Sequence, residues 1–299
     1  MKKYLGIDLG GTQARVAVVD EEGTIYQMES APSLSLESSE VIVNNLFSLI
    51  DKIDNLEQVS GIGVGVPGPV DQDKGWMNLA SNIPAMTKVP LVSMLKERYH
   101  LPVYMDNDAN VAALAEATVG VGKGKPIVIY VTHSTGIGAG IVVNGQAVSG
   151  QHGFAGEVAN LIVNDHYPKV NHLNAGSLEN VAAGVGFVLQ AQKRIDPKIE
   201  SGKDIFDYYE QNHPEAIKLV DEMSFHFAKG LSMIAAVLDP HCIIIGGGIT
   251  KSKHLYFDKL REYYNSMVHD SLRDVRFEQP ILEEPGIVGA AMLPRSHGE

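Results

Sequence analysis

The chain has 299 residues, a formal net charge of −12, 44% hydrophobic and only 20% charged residues, and a single cysteine. This composition excludes a disordered chain and leaves room for one large domain or two lobes, and its acidic balance offers no footprint for a nucleic-acid backbone or an anionic membrane surface. One thiol, Cys242, cannot form an intrachain disulfide or a thiolate-rich metal knuckle, which points to a reducing compartment. The opening MKKYLGIDLGGT is broken by Asp8 and paired glycines before a signal-peptide core forms. No later run reaches the roughly 18 apolar residues of a membrane span, so the expectation is a cytoplasmic protein.

In chain order, YLGID, ARVAVVD and TIYQM alternate as strands, with glycines at 10, 11 and 23 supplying the turns of a β-meander. EVIVNNLFSLIDKI, residues 40–53, has helical spacing, and GIGVGVPGPV, 61–70, reads as a buried strand running into a turn. The segment VPLVSMLKERYH predicts a helix, PVYM a strand, and DNDANVAALAEATVG a helix capped by short polar residues. A second cycle opens near residue 126, where PIVIYVT, GIGAGIVVNG and QAVSG repeat the three-strand opening. Helices follow over 177–195, 214–239 and 253–268, with a buried strand CIIIG at 242–246 and a short apolar helix near GIVGAAMLP. The glycines at 120, 122 and 124 suit a hinge, so the expected division is 1–118 and 119–299, with a last helix near 286–295 free to pack back on the N-terminal lobe.

Three glycine nodes carry the chemistry. Asp8 ends a strand ahead of Gly10, Gly11 and Thr12, where the backbone can approach a phosphate, the hydroxyl can bond it, and the carboxylate can hold hydrated Mg²⁺. Taken alone, the pair of glycines is equally a tight hairpin. Thr135, Gly136 and Gly138 repeat the arrangement at the same place in the second cycle. Gly246, Gly247 and Gly248 follow a strand and precede a helix, a docking position for a nucleotide or else a crowded corner that only glycine fits. None of the three is a G-x-x-x-x-G-K-[ST] loop or a dinucleotide fingerprint.

Acids and amides lie between these nodes. Asp106-Asn107-Asp108-Ala109-Asn110 places four polar residues in five positions, more than one helix start needs. A carboxylate at a strand's C-terminal edge can deprotonate a substrate hydroxyl, which makes Asp108 the candidate base. Glu157 and Glu179, beside glycine turns, suit sugar hydroxyls or, equally for Glu179, an ordinary helix start.

The ordered set DLGGT, GVGVPGPV, SNIPAM, DNDAN, THSTGIGAGIVVNG, GFAGEV, GSLENVAAG and IIIGGGI resembles the ROK family of sugar kinases and repressors, within the actin-like ATPase superfamily, over nearly the whole chain. The resemblance implies an α/β fold of two RNase H-like lobes, of the actin and hexokinase type, with a central cleft for ATP and sugar. It implies phosphate loops at Gly10, Gly11 and Thr12 and at Thr135, Gly136 and Gly138, an adenosine loop at Gly246, Gly247 and Gly248, and Asp8 near Mg²⁺. It places Asn82, Asn107, Asp108, Glu157 and Glu179 at sugar-contacting positions, with Asp108 as the catalytic base. The chemistry implied is phosphoryl transfer from ATP to a sugar hydroxyl, O6 foremost, by a protein that often forms homodimers.

Relatives commonly carry G-E-x-G-H and then C-x-C-G-x-x-G-C-x-E, whose His and three Cys bind structural zinc. Here the His is Asn160 and the Cys positions read approximately Val170, His172 and Ser177, so no Zn²⁺ site is expected. The shorter, non-titrating Asn160 loosens the contacts at C1 and C2 of the sugar. Glucose, a β-glucoside and N-acetylmannosamine stay open as substrates. A repressor needs a basic helix-turn-helix ahead of DLGGT, which begins at residue 8, and is disfavoured. A non-catalytic sugar or nucleotide sensor of the same fold is the remaining alternative.

Overall fold

The computed structural model describes residues 1–170 and 172–299. Strands β1 (Lys3–Leu9), β2 (Gln13–Asp20) and β3 (Ile25–Pro32) form the expected antiparallel meander. β1 and β2 are buried along most of their length, while β3 alternates strictly between half-buried and exposed, as an edge strand does. Helix α1 (Ser39–Ile50) starts where the Ser38 hydroxyl accepts the amide of Val41 at 3.4 Å, and it leads into β4 (Ile62–Val66). A small hairpin, β5 (Val70–Asp71) with β6 (Trp76–Met77), and helix α2 (Leu91–Tyr99) precede β7 (Val103–Asn107). β4 and β7 add to β1 in parallel, giving the order β3-β2-β1-β4-β7, and helix α3 (Asp108–Thr118) follows.

The second cycle contains β8 (Ile127–His133), β9 (Ile137–Val143) and β10 (Gln146–Ala147), then α4 (Leu178–Ala182), α5 (Gly184–Arg194), α6 (Gly202–Glu210) and α7 (Pro214–Leu238). β11 (Cys242–Gly246), α8 (Phe257–Met267), β12 (Arg276–Glu278) and α9 (Pro285–Ser296) complete it. The second sheet has the order β10-β9-β8-β11-β12, the same succession as the first, so the recurrence in the sequence is a recurrence of topology.

Two compact units result. The first comprises Met1–Tyr130, Gly140–Gly156 and Pro280–Glu299, and the second Val131–Ala139 and Glu157–Gln279. In the first, α9 lies against the backbones of β1 and β4: a β-carbon on Gly63 would overlap the carbonyl of Ala290, and one on Gly289 the carbonyl of Val111 in α3. Leu5, Ile7, Val16, Leu46, Leu49 and Val64 belong to the apolar core of this unit. Glu116 of α3 is fully buried. Its Oε1 accepts the amides of Ile281 and Leu282 at 3.0 and 3.1 Å, and its Oε2 that of Val121 at 3.0 Å.

Three expectations need correction. The helix expected over 177–195 is two helices, because Ala183 is extended and the amides of Gly184 and Val185 turn to other carbonyls. β7 continues to Asn107, so the following helix begins at Asp108. Helix α6 was not expected; it is held by a capping box between Ser201 and Asp204. No helix among the described residues is long and apolar enough to cross a membrane.

Candidate active site

In the first unit the parallel register sets Asp8 beside Gly65 and Gly65 beside Asp106. In-register residues of parallel strands share a face, and Gly65 places no side chain between the two carboxylates. Asp106 is 2% exposed. Its Oδ2 accepts the Ser149 hydroxyl at 2.6 Å and the Gln72 amide at 3.2 Å, and its Oδ1 the Asn107 amide at 2.7 Å and Asn110 Nδ2 at 2.9 Å. Burial raises its pKa against the pull of these bonds. Asn107 is the N-cap of α3, its Oδ1 accepting the amide of Asn110 at 2.7 Å. Three of the four polar residues in DNDAN therefore hold the turn from which Asp108 projects.

Asp108 is an exposed residue, and its Oδ1 accepts the amide of Ala109 at 2.8 Å. Surrounding protein nevertheless removes enough of its hydration to raise its pKa, since desolvation extends beyond the atoms a carboxylate touches. Asp8 is half-buried and also raised, first by burial, with Arg15 at 3.9 Å opposing and the charge of Asp108 adding. Arg15 is itself paired with Glu284. Gly10 closes the β1–β2 turn by donating to Gln13 at 2.9 Å, and Gly11 lies so close to Asn82 that its β-carbon would sit 3.0 Å from that of Asn82. Asp8, the turn of Gly10, Gly11 and Thr12, Asn82 and Asp108 thus lie at one end of this sheet.

In the second unit the β8–β9 turn contains Thr135, Gly136 and, at the start of β9, Gly138. Ser134 donates to Gly136 at 3.0 Å, and the amides of Gly184 and Val185 reach the carbonyls of Ser134 and Thr135 at 2.9 and 3.1 Å. Those two amides are the ones the broken helix gave up. Glu179 Oε2 accepts the amide of Ile137 at 3.0 Å. Gly247 has φ 99° and its β-carbon would overlap the His133 backbone, while that of Gly248 would lie 3.4 Å from Ser134 Oγ. The two glycine nodes of this unit are therefore neighbours, with Gly246 buried at the end of β11. His133 is fully buried, stacked on Phe227 at 4.0 Å between ring centroids, with Nε2 2.7 Å from the carbonyl of Ala182. Burial pushes its pKa down to about 4, so the ring is neutral and Nε2 donates. A cavity of about 750 Å³ opens beside these loops, bordered by Ser134, Thr135, Gly184 and Gly248.

The segment that replaces the zinc motif is tied by hydrogen bonds. Glu157 and Asn160 are exposed around the short turn Val158–Asn160. Asn160 Oδ1 accepts the amide of Asn174 at 2.8 Å, Leu178 donates to Leu161 at 2.7 Å, Lys229 Nζ to Val163 at 2.9 Å, and Asn164 Nδ2 pairs with His226 Nε2 at 2.9 Å. Among the described residues no group of three or more His, Cys, Asp or Glu side chains is placed to hold a metal ion. The donors present do not fit a tetrahedral zinc site. Residues missed in the sequence are Gln72 and Ser149, which have no local pattern, and the cavity-lining face of α5.

A model described as the ROK family matches residues 4–297. N-acetyl-D-glucosamine kinase of Histophilus somni is 32% identical over 85% of this chain and 86% of that protein. The ROK hexokinase of Thermus thermophilus superposes with a TM-score of 0.88 at 29% identity over 97% of each chain. A ROK family glucokinase from Streptomyces griseus, solved with glucose and AMPPNP, does so with a TM-score of 0.75 at 29% identity over 97% of this chain and 98% of that one. The chain belongs to the ROK family, and its α/β fold is that of the ROK hexokinases.

Proposed function

We propose that the protein is an ATP-dependent sugar kinase that phosphorylates a hexose or hexose derivative at a hydroxyl, O6 foremost, with Asp108 as general base. The observation that carries this reading is the buried network around Asp106, which holds the turn at 106–110 and leaves Asp108 exposed beside it. The kinase names of relatives, and the glucose and AMPPNP bound in the Streptomyces griseus enzyme, support it.

In the proposed reaction the sugar hydroxyl gives its proton to Asp108 as its oxygen bonds the γ-phosphorus. The bond from that phosphorus to the β–γ bridging oxygen breaks, releasing ADP and a sugar phosphate. Amides of the β1–β2 and β8–β9 turns suit the phosphate oxygens. Asp8 offers a hard, half-buried oxygen donor that suits magnesium held through water, with Arg15 at 3.9 Å already supplying part of the opposing charge. When bound, Mg²⁺ would neutralise phosphate charge. Asn82, Glu157 and Asn160 are the proposed sugar contacts.

The test is ADP release across glucose, N-acetylglucosamine, N-acetylmannosamine, fructose and cellobiose. Turnover on any of them supports the reading and names the sugar class. Failure on all, with ATP still bound, favours a non-catalytic sensor.

A further inference from the structure

Helix α4 is bonded to the β8–β9 turn at both ends of the turn. On one side Glu179 accepts the amide of Ile137, the first residue of β9. On the other, His133, the last residue of β8, meets the carbonyl of Ala182, the last residue of α4, with Nε2 at 2.7 Å. Ser134, Thr135 and Gly136 lie between these two bonds. After Ala182 comes the extended Ala183, and directly beyond it the amides of Gly184 and Val185 reach the carbonyls of Ser134 and Thr135. His133 is thus fastened to the segment whose next amides hold the turn, and Gly247 of the third glycine node rests on its backbone.

The imidazole can make this bond in one neutral form. A carbonyl oxygen only accepts, so Nε2 carries the proton. The ring is fully buried, and with its pKa near 4 it holds no second N–H at neutral pH. Nδ1 is then an acceptor, and the Tyr256 hydroxyl faces it at 3.4 Å. Phe227, stacked at 4.0 Å between ring centroids, and Tyr256, edge-on at 6.0 Å, set the plane of the ring.

We propose that His133 is a positioning residue of the phosphoryl-donor site: its Nε2 proton holds the end of α4 so that the Gly184 and Val185 amides keep the β8–β9 turn in the shape that receives the donor's phosphates. The proposal rests on the sugar-kinase reading of that turn. Without the proton the Ala182 carbonyl loses its donor, the segment at Ala183 can shift, and the turn binds phosphates less well.

The experiment is calorimetric titration of the full chain with AMPPNP and Mg²⁺. His133→Leu keeps an apolar side chain and removes the proton; affinity should fall roughly tenfold, the scale of one hydrogen bond, at unchanged stoichiometry. His133→Gln, whose NH₂ reaches about as far as Nε2, should stay within about threefold of the parent. A merely structural loss would lower the stoichiometry instead, because it reduces the folded fraction. In the unaltered protein, nitrogen NMR of labelled histidine should show the proton on Nε2 at pH 7, and its resonance should shift with the Gly184 and Val185 amides when AMPPNP binds. Equal affinity of His133→Leu and the parent overturns the proposal, as does an equal loss in both variants. Should neither variant fold, the NMR decides: a proton on Nδ1, or an Nε2 proton unmoved while the two amides shift, overturns it, and a joint shift upholds it. If AMPPNP does not bind the unaltered protein, the kinase reading falls and takes this inference with it.

Discussion

Glu179 Oε2 accepts the amide of Ile137 at 3.0 Å, so a carboxylate expected at a sugar braces the β8–β9 turn. Removing the acceptor should loosen the turn that the proposed ATP phosphates meet. Glu179→Leu is expected to raise KM for ATP about tenfold, the scale of one hydrogen bond to a charged group. Glu179→Gln, whose amide oxygen can still accept, should raise it much less. Steady-state kinetics in both substrates checks this, and a rise confined to the sugar's KM would contradict the brace.

Asp108→Asn should lower kcat by about 10² to 10⁴, the usual contribution of a positioned base, with little change in KM for ATP. Because burial raises the Asp108 pKa, the acid limb of the wild-type rate profile should lie above the ordinary aspartate range. The same shift has a stability consequence. A carboxyl with a raised folded-state pKa binds its proton more tightly when folded, so at neutral pH its ionised form weakens the fold. Asp108→Asn should therefore melt higher than the parent at pH 7, and the difference should vanish as pH falls below the ordinary aspartate value. Thermal melts at the two pH values measure it.

Glu116, fully buried, supplies acceptors to three backbone amides. Glu116→Ala strands all three and should cost about 3 kcal/mol or more. Glu116→Gln can keep the pair at Ile281 and Leu282 but turns an NH₂ toward Val121, and should cost roughly 1–3 kcal/mol. Denaturant titration with an unchanged m-value would show that the loss belongs to the native fold.

The hydrogen-bonded segment 157–178 predicts indifference to chelation. Dialysis against EDTA or 1,10-phenanthroline should leave the melting temperature of the ligand-free protein unchanged. Lys229→Met, which removes the donor to Val163, should lower it and raise KM for the sugar more than for ATP. A melt that drops on chelation, and recovers with zinc, would refute the hydrogen-bonded clamp.

What could be read in the sequence was written in short runs. DLGGT, DNDAN and GGG each place their residues within a few positions, and each proved to be a turn at the end of a strand. The support beneath them was not legible. Asp106 is held by Gln72 and Ser149, 34 and 43 residues away, and nothing in either neighbourhood announces the pairing. The break at Ala183 was hidden because apolar helical spacing runs straight through it, and its cause is the pair of carbonyls at Ser134 and Thr135. Helix α6 did have a local sign, Ser201 followed by Asp204 ahead of Ile205 and Phe206. It was obscured by the glycine between them.

Helix α9 follows every other element in the sequence, yet it lies on β1 and β4, among the earliest. At Gly6 and Gly63 those strands have no side chain to spare, and the helix backbone itself covers them. During synthesis the opening strands must leave the ribosome with that seam bare and keep it so until α9 has been made. The interval is a window for mispairing that a chaperone could shield. A stop ahead of Pro285 would yield a chain whose first strands never find their cover.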